Sequence, residues 1–181
     1  MSDAEVPKVR LVCIGDFGVG KTSFIKQMTT STFEASSTPE LSEVTVYPYQ
    51  LHKTHVELDF IDSLGVEETD PENHFYYQKC HGAFLLFDLH SENSFKRITQ
   101  LYQSVKKYSA QFMVSVLVGT KSDLGASISD SQVTEFCTTN KLKYFPLSSL
   151  KHDGFDDCLN SLVLKIWEVY VGKDKKHCSV V

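Results

Sequence analysis

At 181 residues, 41% hydrophobic and 23% charged, the chain has the length of one domain with a real core and the composition of an ordinary soluble globular protein. Its net charge of −5 argues against a broad nucleic-acid surface. No apolar run approaches the ~20 residues of a membrane span, and the polar opening Met1-Ser2-Asp3-Ala4-Glu5 is unlike a signal peptide. Five scattered cysteines, an odd number, point to reduced thiols in the cytosol and not to a disulfide scaffold.

Val9–Ile14 is a continuous apolar run, as expected of a parallel strand covered on both faces. It leads into Gly15-Asp16-Phe17-Gly18-Val19-Gly20-Lys21-Thr22, which fits the phosphate-loop pattern G-x-x-x-x-G-K-[ST], and a helix-capable segment, Ser23–Met28, follows. The glycines let backbone N–H groups, including those around Val19, turn inward on an anion at the positive end of that helix. In this pattern Lys21 reaches the β- and γ-phosphates and the Thr22 hydroxyl ligates Mg²⁺. The helix fades at Thr29-Thr30-Ser31-Thr32, and Phe33 to Ser42, with Pro39 inside, reads as an irregular functional loop.

Two strands are predicted next, Val44–His52 and His55–Asp62, around a hairpin turn at Lys53-Thr54. Asp70-Pro71-Glu72 has the marks of a helix start, and that helix would carry Phe75, Tyr76 and Tyr77. Ala83–Phe87 is another buried strand, Ser91–Lys107 has helical periodicity, and Phe112–Val118 is a strand closing on Gly119-Thr120-Lys121-Ser122-Asp123. A helix near Ser129–Thr139, a short strand at Tyr144–Leu147 and an amphipathic helix over Phe155–Tyr170 complete the pattern. Strands alternating with helices imply an α/β fold: a six-stranded, mostly parallel sheet with one antiparallel edge strand and helices on both faces. The phosphate loop, Asp62, Asp123 and Ser148 all follow strands, so they should gather at the carboxyl edge where such folds bind ligands. His52, His55, His74, Cys80 and His81 have no second pair at zinc-ligand spacing.

With these pieces in order, the chain resembles the Ras superfamily of small GTPases, a P-loop NTPase G domain, from the phosphate loop to the last four residues. Three signatures carry the resemblance: Gly15–Thr22; Asp62-Ser63-Leu64-Gly65, matching D-x-x-G; and Thr120-Lys121-Ser122-Asp123, matching [NT]-K-x-D. It implies GTP or GDP as ligand with Mg²⁺ as cofactor. The Asp62 carboxylate would reach the metal through water, and the Gly65 N–H would meet the γ-phosphate. Asp123 would accept two hydrogen bonds from guanine, a donor pair that adenine lacks. The stem of Lys121 would lie along one face of the base and Phe33 near the other. Ser148-Ser149-Leu150 matches the loop whose backbone N–H, at Ser149, contacts the guanine oxygen. The phosphate-loop positions Gly15, Phe17, Gly18, Val19, Gly20, Lys21, Thr22 and Ser23 are carried over as nucleotide contacts, and Lys21 and Gly65 as groups serving hydrolysis. Thr120 is what the Rho branch tends to use. The 24 residues between Asp123 and Ser148 leave no room for the extra Rho helix, so placement stays Ras-like or Rho-like.

Three departures fall on the hydrolytic apparatus. Val66 stands where the family has the Gln that orients the attacking water. Phe17 replaces a small residue where a partner's arginine finger and that Gln converge; alternatively its ring points to solvent or packs on the mobile loops. Glu40 stands where the first mobile loop supplies a metal-ligating Thr, so the remaining ligand is either Glu40 itself or Thr38 two residues earlier; alternatively Glu40 is a solvated loop acid. Slow hydrolysis, insensitive to activating proteins, is the expectation.

Lys173, Lys175 and Lys176 against Asp174 give +2 over residues 173–181, leaving −7 for the first 172. Cys178-Ser179-Val180-Val181 fits a C-a-a-X prenylation box at Cys178. The lysines supply the second signal for an anionic leaflet. The expected organisation is an extension over 1–7, a G domain over 8–171 and a basic tail over 172–181. The expected setting is the cytoplasmic face of a membrane, the plasma membrane first, with a cytosolic form when unprenylated. Effectors, and an exchange factor, would dock through residues 33–45 and 62–80 of a monomer. The leading function is a membrane-anchored guanine-nucleotide switch with weak or atypical hydrolysis. The second is a pseudo-GTPase scaffold holding one nucleotide with little cycling. A phosphate-loop kinase is disfavoured by the guanine motif and by only two arginines, Arg10 and Arg97, among 18 basic residues.

Overall fold

Along the central strands, successive apolar side chains alternate between two separate cores, so the sheet is buried from both sides. Phe84 and Leu86 join the core on one face, and Ala83, Leu85 and Phe87 join the core on the other. The computed structural model describes residues 6–32, 44–63, 79–109 and 112–177, the last seven by their backbone. The strands are β1 (Lys8–Ile14), β2 (Val44–Leu51), β3 (Thr54–Asp62), β4 (Gly82–Asp88), β5 (Val114–Thr120) and β6 (Lys143–Pro146). The helices are α1 (Lys21–Thr30), α2 (Glu92–Tyr108), α3 (Asp130–Asn140) and α4 (Phe155–His177). The sheet order is β2-β3-β1-β4-β5-β6, and β2 alone runs antiparallel, at one edge. This is the predicted α/β P-loop NTPase architecture.

α1 and α4 cover one face and α2 and α3 the other. Phe24 docks α1: it is fully buried, with its ring 5.0 Å from Phe84 and 5.3 Å from Phe155. Truncating such a ring costs about 3–5 kcal/mol, so the helix that begins at the phosphate loop is held firmly to the sheet. Local signals set the helix starts on the other face. The Ser91 hydroxyl accepts from the Ser94 N–H at the head of α2, and Ser129 and Gln132 form a capping box at the head of α3.

Two boundaries differ from expectation. The hairpin turns at His52-Lys53, one residue early, because Thr54 pairs with Leu51 as strand while His52 takes the left-handed conformation at φ 52. α4 runs past Tyr170 to His177 and so crosses the expected boundary at 171/172. Gly172 costs a helix only about 1 kcal/mol, and lysines at a carboxyl terminus favour the helix dipole. The expected helix from Asp70 lies outside the described residues. Among the described residues no disulfide forms: Cys13, Cys80, Cys137 and Cys158 are buried as thiols. No described helix is long and apolar enough to cross a membrane.

Candidate functional site

The phosphate loop joins β1 to α1 at the carboxyl edge of the sheet, and its glycines are steric necessities. A Cβ on Gly15 would lie 2.4 Å from the Leu86 carbonyl oxygen of β4, and Gly18 and Gly20 sit at φ 75 and 97. Lys21, the first residue of α1, is buried and bends back over the loop. Its ammonium donates to the carbonyls of Gly15 at 2.9 Å and Asp16 at 2.8 Å. A lysine ammonium has three N–H donors, so one remains for an incoming anion. Burial pushes the Lys21 pKa down, and the Asp62 carboxylate partly restores it.

The parallel register of β1 and β3 sets Cys13 opposite Asp62, which carries Asp62 to the loop. The Thr22 hydroxyl donates to Asp62 Oδ2 at 2.5 Å, while Oδ1 is buried without a hydrogen-bond partner. Burial raises the Asp62 pKa; the Thr22 hydrogen bond and Lys21 oppose it. A hydroxyl and a carboxylate converging in this way, with one carboxylate oxygen left over, are hard oxygen donors suited to Mg²⁺. Among the described residues no group of three or more His, Cys, Asp or Glu gathers as a further metal site.

A second arm comes from the end of β5. The Thr120 hydroxyl is buried and donates to the carbonyls of Val19, 2.7 Å, and Phe87, 3.0 Å, so it splices the phosphate loop to β4 and β5. Lys121 takes the left-handed conformation at φ 57 and sends its ammonium to the Gly18 carbonyl at 3.0 Å and to Asp88 Oδ2 at 2.7 Å. The stem of Lys121 therefore spans the gap between the two arms. Asp123 lies in a 3₁₀ turn, Ser122–Leu124. The Ser148 hydroxyl donates to Asp123 Oδ1 at 2.5 Å and accepts from the Leu150 N–H at 3.2 Å. That hydroxyl is the main reason the Asp123 carboxyl is held below the usual carboxylate range.

The second arm and the phosphate loop share a cavity of about 410 Å³ lined by Gly18, Gly20, Ser23, Lys121, Asp123 and Leu150, together with Val19, Thr120, Leu124 and Ser149; Lys21, Thr22 and Asp62 lie outside its lining. Asp123 gives the cavity a carboxylate suited to a base with N–H donors, and the phosphate-loop residues Gly18–Gly20 join it to the loop that Lys21 and Thr22 follow. Phe17 is different: its N–H is turned to Asp16 Oδ1 at 2.8 Å and its ring is 76% exposed, outside the cavity. Phe33, Thr38, Glu40, Gly65, Val66 and Cys178 lie outside the described residues.

Three participants were not foreseen. Asp88, which fixes Lys121, ends the apolar run of β4, and its position at the carboxyl edge was the available signal. Gln27 on α1 and His152 form a clasp. In the orientation that satisfies its neighbours, the buried Gln27 carboxamide accepts from His152 Nδ1 at 2.6 Å and donates to the carbonyls of Thr32, 2.9 Å, and Ser149, 3.2 Å. His152 stands at φ 59 with its ring stacked on Phe155. No motif marks this pair.

Comparison with known proteins agrees with this geometry. The model of a family described as the Ras family matches residues 10–168. The chain is 26% identical over 163 residues to the Ras-related protein RabC of Dictyostelium discoideum, covering 87% of this chain and 83% of that protein. It is 23% identical over 160 residues to the Ras-related protein Rab-30 of Homo sapiens, covering 87% and 79%. It is 26% identical over 167 residues to the Ras-related protein RABA6b of Arabidopsis thaliana, covering 91% and 73%.

Proposed function

Since the chain belongs to the Ras family, and is thereby a nucleotide-binding switch of the small GTPase type, we propose that it is a membrane-anchored one with slow, atypical GTP hydrolysis. The observation that carries the nucleotide assignment is the single cavity shared by the phosphate loop and the Thr120–Asp123 arm, braced by Ser148. Bound Mg²⁺ would screen the phosphate charge and orient the terminal phosphate. Thr22 and Asp62 would hold it, while the free N–H of Lys21 meets a phosphate oxygen and Asp123 accepts from guanine.

Slow hydrolysis rests on three positions. Val66 has no polar atom with which to orient water. Glu40 brings a negative charge to the loop that otherwise supplies a hydroxyl ligand. Phe17 puts a benzyl group where the family has a small residue, and its ring is 76% exposed, so an activating side chain would have to displace it only if it folds back over the loop. Anchoring rests on the Cys178 box and on Lys173, Lys175 and Lys176, which suit the cytoplasmic face of an anionic membrane. The exposed valines of β2, Val44 at 52% and Val46 at 54%, support effector docking through the segment they close. Ras-like or Rho-like placement rests on Thr120 and on the short Asp123–Ser148 spacing, and the matched relatives carry Rab names.

A single-turnover assay on protein loaded with GTP tests the hydrolysis. The expected rate is slow and stays slow with activating proteins, and a rise approaching the roughly 10⁵-fold they give Ras itself refutes the reading. A scaffold with one permanent nucleotide is the competing function, favoured by the same loss of Gln at Val66. Chromatography of the nucleotide released before and after incubation with excess labelled GDP separates the two, because a switch exchanges and a scaffold does not.

A further inference from the structure

At the end of the sheet away from the phosphate loop, β6 stops short of its neighbour. Its register pairs Lys143 with Val116, so Val114 and Ser115 of β5 lie beyond it. The space this leaves is a cavity of about 600 Å³, within the range of small-molecule sites. Met113 and the start of β5 (Val114–Val116), the corner Asn140–Lys143 and the middle of α4 (Ser161–Glu168) line it, with Tyr102 from α2.

Its rim is cationic in a chain of net charge −5. Lys141, Lys143 and Lys165 line it against one acid, Glu168, which Lys165 pairs at 3.0 Å. Lys106 stands 5.0 Å over the Tyr102 ring and donates to Asn140 Oδ1 at 3.2 Å, which brings a further ammonium to the same rim. Lys141 and Lys143 have no acidic partner among the described residues. Ser161 contributes to the α4 wall, with its hydroxyl oxygen buried beneath that wall and out of reach of solvent.

Position adds to chemistry. A Cβ on Gly82 would lie 2.6 Å from Ile166 Cδ1, and the Tyr170 ring is 5.1 Å from that of His81, so the second half of α4 lies at the starts of the strands. The last turns of α4, which carry Lys173, Lys175 and Lys176 in the sequence, continue from the cavity's end of the sheet, opposite the phosphate loop. A concave, lysine-rimmed site on the end that the tail would hold against a bilayer suits a compact polyanion.

We propose that this cavity takes the phosphorylated headgroup of an anionic membrane lipid; the inference rests on the membrane-anchoring reading above. The bound headgroup would orient the domain with its nucleotide edge towards the cytoplasm.

The test is sedimentation of the full chain, prenylated and as Cys178→Ser, with phosphatidylcholine vesicles. These carry either phosphatidylinositol bisphosphate or enough phosphatidylserine to match its charge. Both protein forms should prefer the bisphosphate vesicles. Lys141→Gln combined with Lys143→Gln should weaken that binding about thirtyfold, the effect of two lysines near an anionic surface. Ser161→Leu, which crowds the α4 wall of the cavity without changing charge, should weaken the preference while GDP retention is unchanged. Equal binding to the two vesicle types overturns the proposal, as does a preference that survives both cavity variants or is lost only when Lys173, Lys175 and Lys176 become alanine. So does saturable binding of polyglutamate at Lys141 and Lys143 with no vesicle preference, which would assign the cavity to an acidic protein segment. Failure of the prenylated form to bind any vesicle more than Cys178→Ser does strikes the anchoring reading instead, because the headgroup preference is read separately on the unprenylated form.

Discussion

Ser148 offers the sharpest test of how this chain holds a base. Its hydroxyl donates to Asp123 Oδ1 at 2.5 Å and accepts from the Leu150 N–H at 3.2 Å, so one oxygen both aims the carboxylate and fixes the loop beside it. Ser148→Ala removes both bonds while keeping the backbone. A hydrogen bond to a charged partner is worth about 1.5–3 kcal/mol. Asp123 is partly exposed, and solvent screening moves the figure to the lower end, about 1–2 kcal/mol. If the bound state depends on that alignment, GDP should leave about 5–30 times faster, at about 1.4 kcal/mol per decade. Release of a fluorescent GDP into excess unlabelled nucleotide, with Mg²⁺ present, measures this directly. Ser148→Thr keeps the hydroxyl and should restore most of the slow release. Inosine diphosphate lacks the 2-amino group, so the preference for GDP over it reads the Asp123 carboxylate alone, and Ser148→Ala should shrink that preference. Release within twofold of wild type, with the preference intact, would refute the reasoning and leave Asp123 positioned by its own turn.

Two further outcomes follow from the same geometry. Burial, with the Arg10 cation adding to it, lowers the His81 pKa below its ordinary 6.5, and His81 Nδ1 accepts the backbone N–H of Arg10 at 2.9 Å. The unfolded chain therefore takes up the proton first: stability is full above the unfolded value of about 6.5 and declines as the pH falls through it. The melting temperature should drop between pH 7.5 and 5.5, and drop less in His81→Asn, whose side-chain oxygen can accept the same N–H; equal slopes would contradict this. Gly15→Ala places a methyl 2.4 Å from the Leu86 carbonyl oxygen and 3.0 Å from Val19 Cγ2, which should cost about 1–3 kcal/mol as overpacking. An unchanged denaturant midpoint would show that β1 and β4 can part there freely.

The strands were legible because a sheet buried on both faces writes itself as unbroken apolar runs, as in β1 and β4. The phosphate loop was legible because its glycines answer to backbone geometry that no other residue satisfies. What escaped was contact between distant segments. Asp88 and Lys121 are 33 residues apart and Gln27 and His152 are 125 apart, and neither pair has a spacing that propensity or periodicity can detect. The lysine-rimmed cavity escaped for the same reason: it lies where the first two residues of β5 have no partner in β6. His52 shows the limit at short range, where a left-handed histidine displaced the turn by one residue.

Gln27 makes one side chain the hinge pin between two loops of different duty. A single carboxamide reaches the Thr32 carbonyl, just past the end of α1, and the Ser149 carbonyl and His152 ring, in the loop that begins at Ser148. Work done on Thr32 is therefore felt at Ser149, and by thermodynamic reciprocity the factor is the same in both directions. A protein that grips the first loop and draws Thr32 away loosens the base by some ratio. The loss of the base loosens that protein's grip by the same ratio. If the first loop meets effectors and the Ser148–Leu150 loop meets guanine, as proposed above, the two sides share one lever, whose length is that of a glutamine.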